Sequence, residues 1–194
     1  MRLSRKEILF LSALYLGCVA IRLLPRLGID PHLLTFDADI WYRLCLAQFV
    51  LENGHPPVWD IRYSAYGHVP FWYTPIALYI YAFLAKISSL DLPTVTSRIM
   101  PWVESTAIIP FYFLARYLYG LRVAIVASVC LALTPAFLFW SAIGTPQGFT
   151  MFCIPLAILL WVTFVRKEYI FGNRLAHFLL FALLLTVNFL THLT

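Results

Sequence analysis

The sequence predicts an all-α, polytopic membrane protein, and three observations carry that prediction. Of 194 residues, 62% are hydrophobic and 12% charged, where soluble domains hold about 45–50% and about 25%. Several apolar runs approach the ~20 residues that an α-helix needs to cross a bilayer. The alternation of a membrane barrel is missing, and hydrocarbon tolerates no other unpaired backbone.

Taken in order, the chain begins "MRLSRKEILFLSALYLGCVAIRLL", a basic start before an apolar centre. It lacks the small-x-small pattern of signal cleavage, and Tyr15-Leu16-Gly17-Cys18 does not form a lipoprotein site. This is an uncleaved first span. Further apolar runs lie at about 71–87, 100–118, 123–143, 149–165 and 175–193. If all six runs cross, Arg116/Arg122 and Arg166/Lys167/Arg174 fall opposite the basic N-terminus, against the positive-inside rule. If 71–87 does not cross, all three basic clusters share the cytoplasmic side. That segment opens Phe-Trp-Tyr, contains Pro75 and ends near Lys86, as re-entrant or interfacial helices do. The prediction is therefore five spans, at about 8–24, 100–118, 123–143, 149–165 and 175–193, with an external loop over about 25–98. The N-terminus is cytoplasmic and the loop external or luminal.

Within the loop, Ile40, Leu44, Ala47 and Val50/Leu51 recur at helical spacing and predict a short amphipathic helix over 38–52. Asn53-Gly54 ends it, and His55-Pro56-Pro57 prevents its continuation. Six of nine acidic residues and the basic residues Arg26, Arg43, Arg62, Lys86 and Arg98 then fall outside, where the basic ones can face an anion. The formal charge of +5 comes from residues scattered at the ends of apolar runs, so it reports topology and not nucleic-acid binding. The four cysteines lack C-x-x-C spacing and read as small apolar residues.

Chemistry concentrates in "TFDADIWYR", Thr35 to Arg43. One reading makes Asp37 or Asp39 the cap of the helix that follows. A cap needs one acid, however, and two carboxylates at a membrane surface can also hold a hard divalent cation such as Mg²⁺ or Mn²⁺, or orient and deprotonate an acceptor. Glu104 lies inside the second span near its external end. Intramembrane acids are functional suspects, with pairing to Arg98 or a wet interface as the plain alternative. His32, His55, His68, His177 and His192 lack metal-ligand spacing and read as mostly interfacial. Trp41, Tyr42, Trp59, Tyr63, Tyr66, Trp72 and Tyr73 read as an aromatic belt before a sugar platform. Pro110, Pro135 and Pro155 read as kinks.

"FDADIWYRLCLAQFVLENG", the aromatic loop and "VESTAIIPFYFLARYLYGLRVAIVASVCLALTPAFLFWSAIG" together resemble the N-terminal membrane region of oligosaccharyltransferase catalytic subunits, within the C-type membrane glycosyltransferases. The resemblance runs from about Ile21 to the end. It implies transfer of a sugar from a polyprenyl phosphate or pyrophosphate donor to a protein or glycan acceptor. Asp39 then orients or deprotonates the acceptor, and Asp37 assists and holds a cation. Arg43 or Arg62 neutralises the leaving lipid phosphate, Gln147 lies across the cleft, and His192 faces a donor phosphate. The family's second external loop carries metal-completing acids. Here that stretch is "IGTPQGFTM", with Gln147 and Phe149 in their places, which points towards base chemistry without metal. The family's soluble C-terminal domain does not follow, so residues 1–194 read as the N-terminal part of a longer enzyme. A transporter would need polar groups along its last three spans, which are almost uncharged. A non-catalytic scaffold would need the acidic pair only as a cap.

Overall fold

A computed structural model describes residues 3–34, 38–59, 75–142, 146–170 and 173–192, without the side chains of 38–39, 139–142, 146–147 and 191–192. Every regular element among these residues is a helix. Helix α1, Arg5–Leu23, starts on a reciprocal cap: Ser4 Oγ accepts from the Glu7 amide at 3.3 Å, and the Ser4 amide donates to Glu7 Oε2 at 2.9 Å. Two donors that a helix start would otherwise leave open are thereby filled. A 3₁₀ turn, Leu24–Arg26, continues the axis.

Helix α2, Ala38–Asn53, falls on the predicted amphipathic stretch. It stops where Gly54 adopts φ +77 and its amide reaches back to Val50 O at 2.8 Å, a left-handed end that glycine supplies without strain. Helix α3, Pro75–Ser88, opens on proline, whose missing N–H is no loss at a helix start. The two pack through Tyr42, Leu46 and Val50 against Leu78 and Ala82. The chain then turns by 105° into a run formed by α4 (Leu92–Thr94), a π turn (Val95–Ile99), α5 (Met100–Ser105) and α6 (Ile108–Tyr119).

Gly120, at φ +86, separates α6 from α7, Leu121–Leu133. Helix α8, Pro135–Ala142, follows. The expected span at 123–143 is thus two helices, because Pro135 cannot donate into the α7 ladder and starts a new helix. Pro110 likewise sits in the first turn of α6 and needs no kink there; only Pro155 lies inside a long helix, α9, Pro146–Val165. Helix α10, Arg174–His192, returns along α9. His177 is fully buried between them, its Nε2 at 2.8 Å from Leu160 O and 3.1 Å from Thr163 Oγ1. It is a core residue and not the interfacial one expected.

Small side chains allow the central helices to approach closely: Cys18 of α1 meets Ile108 and Ala132, and Leu11 meets Tyr112, Ala115 and Ala124. Cys18 and Cys153 are buried as small apolar residues, whereas Cys45 and Cys130 are exposed.

Two helical stretches among the described residues are long and apolar enough to cross a membrane, Arg5–Arg26 and Gly148–Val165, and the bent pair Pro75–Ser88 with Leu92–Tyr119 makes a third if it counts as one span. Leu121–Leu133 and Arg174–Leu190 are apolar but shorter. The fold is therefore helical as expected, and by length alone it holds two or three spans instead of five.

Contacts define two poles. At one, Arg116 Nε of α6 lies 2.9 Å from Glu7 Oε1, and the Arg166 guanidinium stands 5.1 Å over the Tyr117 ring. The starts of α1, α7 and α10, with the ends of α6 and α9, thus carry the basic residues to one end. At the other, Arg22 of α1 lies 4.7 Å over the Phe137 ring of α8, and α5 meets the start of α9.

Candidate functional site

The second pole gathers the first turns of α2 and α9 around α5. Phe149, in the first turn of α9, packs against a cluster that includes Ile40 and Leu44 of α2, Tyr81 of α3 and Met100 of α5. An apolar ring placed where a loop carboxylate was expected is thereby explained: it packs on the core that α2, α3 and α5 share.

Beside it, the Glu104 carboxyl lies over Gly148. A Cβ on Gly148 would stand 2.6 Å from Glu104 Cδ and 2.6 Å from its Oε1. No positive φ marks Gly148, so glycine is required there for space and not for conformation. Glu104 is 2% exposed, and among the described residues neither of its oxygens has a hydrogen-bond partner. Arg22 and Arg26, at the end of α1, are the cations within its electrostatic reach. A buried carboxylate without donors is costly, so this group marks the site more sharply than any other described.

The arginines around it are held by backbone. Arg22 Nη1 donates to Cys18 O at 2.8 Å, and Arg26 Nη1 donates to Ser97 O at 3.4 Å. Arg98 does not pair with Glu104 as the plain alternative proposed; it donates to Arg26 O and, at 2.8 Å, to Ile29 O, tying the loop to the α5 run. Nor is Glu104 in a wet interface. Arg43 of α2 is buried and shares electrostatic reach of the Tyr81 hydroxyl with Glu104. Further out, His32 Nε2 meets Asp91 Oδ2 at 3.2 Å and its ring stacks on Trp41.

Of the expected site residues, Asp39 is the second residue of α2 and Arg43 follows one turn later. Gln147 directly precedes Gly148 at the start of α9, and His192 ends α10. Asp37 and Arg62 lie outside the described residues, as do Tyr63, Tyr66, Trp72 and Tyr73. Trp41 and Trp59 are exposed and Tyr42 is buried. Tyr81 and Gly148 were not singled out by sequence, because only the tertiary approach of α3 and α5 to α9 gives them a role. Arg22, a charge inside an apolar run, was the one legible signal.

The carboxylates expected to hold a divalent cation, Asp37 and Asp39, lie outside the described side chains, and the described ones include no group of three His, Cys, Asp or Glu. Phe149 offers no ligand, and Glu104 faces two arginines, which compete with a cation for it.

The fold and this pole define a helical membrane protein with a buried polar site where loop and span helices meet. No protein-family model matches the chain, and no curated protein matches it. Among solved structures it is similar to the Archaeoglobus fulgidus oligosaccharyltransferase tethered with an acceptor peptide containing the NVT sequon, with a TM-score of 0.75 at 17% identity over 95% of this chain. The same protein in complex with Zn and sulfate gives 0.74 at 20% over 94%. As AglB in complex with an inhibitory peptide and a dolichol-phosphate, it gives 0.75 at 18% over 95%. The chain spans about a quarter of each, 24%, 25% and 23% respectively. Its fold is that of part of an archaeal oligosaccharyltransferase.

Proposed function

We propose that the chain is the N-terminal membrane part of a glycosyltransferase that moves a sugar or oligosaccharide from a polyprenyl phosphate or pyrophosphate donor to an acceptor, with protein the favoured acceptor. The observation that carries this reading is the shared packing at the second pole: Phe149 of α9 joins the cluster that includes Ile40 and Leu44 of the helix headed by Asp39, and Gly148 of α9 lies against Glu104. The likeness to an oligosaccharyltransferase whose structures include an acceptor peptide and a dolichol-phosphate supports it.

In this reading five segments cross, at about 8–24, 100–118, 123–143, 149–165 and 175–193. The Asp39 pole is external, and 71–87 lies in the first loop. The basic ends of α1, α6, α7, α9 and α10 then share the cytoplasmic side, as the positive-inside rule requires. Where 123–143 breaks at Thr134, two short helices cross together.

Asp39 accepts the proton of the acceptor's N–H or O–H, and Asp37 assists it. The acceptor atom bonds to the anomeric carbon as the bond from that carbon to phosphate oxygen breaks. The lipid phosphate leaves as an anion beside Arg43 or Arg62, which suit it by bidentate geometry. Gln147 and His192 border the same cleft. None of these steps is routed through Mg²⁺ or Mn²⁺; Asp37 and Asp39 are the carboxylates that would hold one.

The test is transfer of a polyprenyl-linked sugar by membranes carrying the full gene. A general base contributes about 10²–10⁴-fold, so Asp39→Asn lowers transfer at least a hundredfold while insertion is kept. Asn caps a helix about as well as Asp; full activity in that variant reduces Asp39 to a cap and removes it from the mechanism.

A further inference from the structure

At the opposite, basic pole a cavity of about 680 Å³ opens between α6 and α9, within the ~300–1,000 Å³ typical of ligand sites. Phe113 and Tyr117 wall it from α6, Leu156, Leu160 and Thr163 from α9, and Tyr169 from the segment that follows. Thr163 turns its hydroxyl to Leu159 O at 2.8 Å, so the slot itself is apolar. Leu156 stands ten residues before Arg166, about 15 Å along a helix and half of a ~30 Å hydrocarbon core. The slot is one leaflet deep.

Its mouth is charged. Tyr117 donates to Glu168 Oε2 at 2.9 Å, so one carboxylate charge lines the cavity there, against the basic residues beside it. The Arg166 guanidinium lies 5.1 Å over the same tyrosine ring, exposed Lys167 is next in sequence, and Arg174 begins the following helix. Arg116, one residue before Tyr117, is held by Glu7.

We propose that this cavity binds an anionic phospholipid, one acyl chain lying between α6 and α9 and the phosphate resting on Arg166 and Lys167. Charge complementarity selects the occupant: an apolar slot alone takes any lipid chain, whereas basic groups at the mouth favour an anionic headgroup. The site is independent of sugar transfer and stands at the other end of the bundle.

Native mass spectrometry of the detergent-purified chain tests it, titrating phosphatidylglycerol and phosphatidylcholine with matched acyl chains. Phosphatidylglycerol is expected to bind more tightly. Arg166→Gln and Lys167→Gln each weaken it about fivefold, from about 1 kcal/mol per basic residue, and leave phosphatidylcholine unchanged. Leu156→Trp fills the slot and removes both lipids, with its helicity checked by circular dichroism. The two charge variants, which alter exposed residues, decide the matter if that variant fails to fold. Equal binding of the two lipids, unmoved by the charge variants, overturns the proposal; so does displacement of phosphatidylglycerol by inorganic phosphate alone.

Discussion

Glu7 and Glu104 are both shielded from solvent, 6% and 2% exposed, yet they stand at opposite poles in opposite states. The Glu7 carboxylate has three donors: the Ser4 amide at 2.9 Å, the Tyr112 hydroxyl at 2.8 Å and Arg116 Nε at 2.9 Å. Those contacts pin α1 to α6 over 105 residues of sequence. Among the described residues Glu104 has no hydrogen-bond donor, and Arg22 and Arg26 are the cations whose field reaches it. A buried acid that is fully satisfied explains itself as structure. An intramembrane acid held without donors is a cost that the fold retains for another reason. The difference marks Glu104, and not Glu7, as the acid that packing alone does not explain.

The largest expected effect comes from closing the space under Glu104. Gly148→Ala places a methyl 2.6 Å from the carboxyl. Overpacking costs about 1–3 kcal/mol, against a gain of up to ~1 kcal/mol for alanine in a helix. The clash wins because the carboxyl, although it ends a flexible side chain, is enclosed on all sides. A loss of stability of about 1–2 kcal/mol is expected, read as a lower melting midpoint, and Glu104→Ala should cancel it in the double mutant. A rise in the midpoint in the single mutant would mean that Glu104 swings away freely, and the contrast between the poles would weaken.

Tyr112→Phe should lower the melting midpoint by less, because it takes one of three donors from Glu7 and leaves the Ser4 and Arg116 contacts. An unchanged midpoint would show that Glu7 does not need the hydroxyl and that its site is less strictly satisfied than its geometry indicates.

Much of this architecture was legible in the sequence. The helix at 38–52 is found at Ala38–Asn53, ended by the expected glycine, because spacing and turn chemistry are local. The 71–87 segment forms Pro75–Ser88 and turns sharply afterwards. What failed was non-local or misjudged in kind. Pro135 was visible as a perturbation, but whether proline bends a helix or divides it depends on whether the chain can begin a new helix there, and at Thr134 it does. Arg98 was the nearest cation to Glu104 in sequence, but backbone carbonyls on the far side of the loop hold it. Nothing local in the sequence distinguishes Gly148; only the approach of Glu104 on α5 does.

The smallest change in stability should come from the residue with the most to say. Glu104→Gln keeps the shape above Gly148 and removes the charge. The variant gives up its attraction to Arg22 and Arg26, and it also gives up the desolvation cost of a carboxylate that no donor repays. These oppose each other, so the stability should stay within about 1 kcal/mol of wild type, the range of one ordinary hydrogen bond. Glu7→Gln has no such compensation: an amide cannot accept from Ser4, Tyr112 and Arg116 as a carboxylate does, and its midpoint should fall. Near-equal losses from the two substitutions would make Glu104 a structural ion like Glu7. A silent Glu104→Gln that nonetheless lowers sugar transfer in the full-length enzyme would separate the charge's contribution to activity from its contribution to folding.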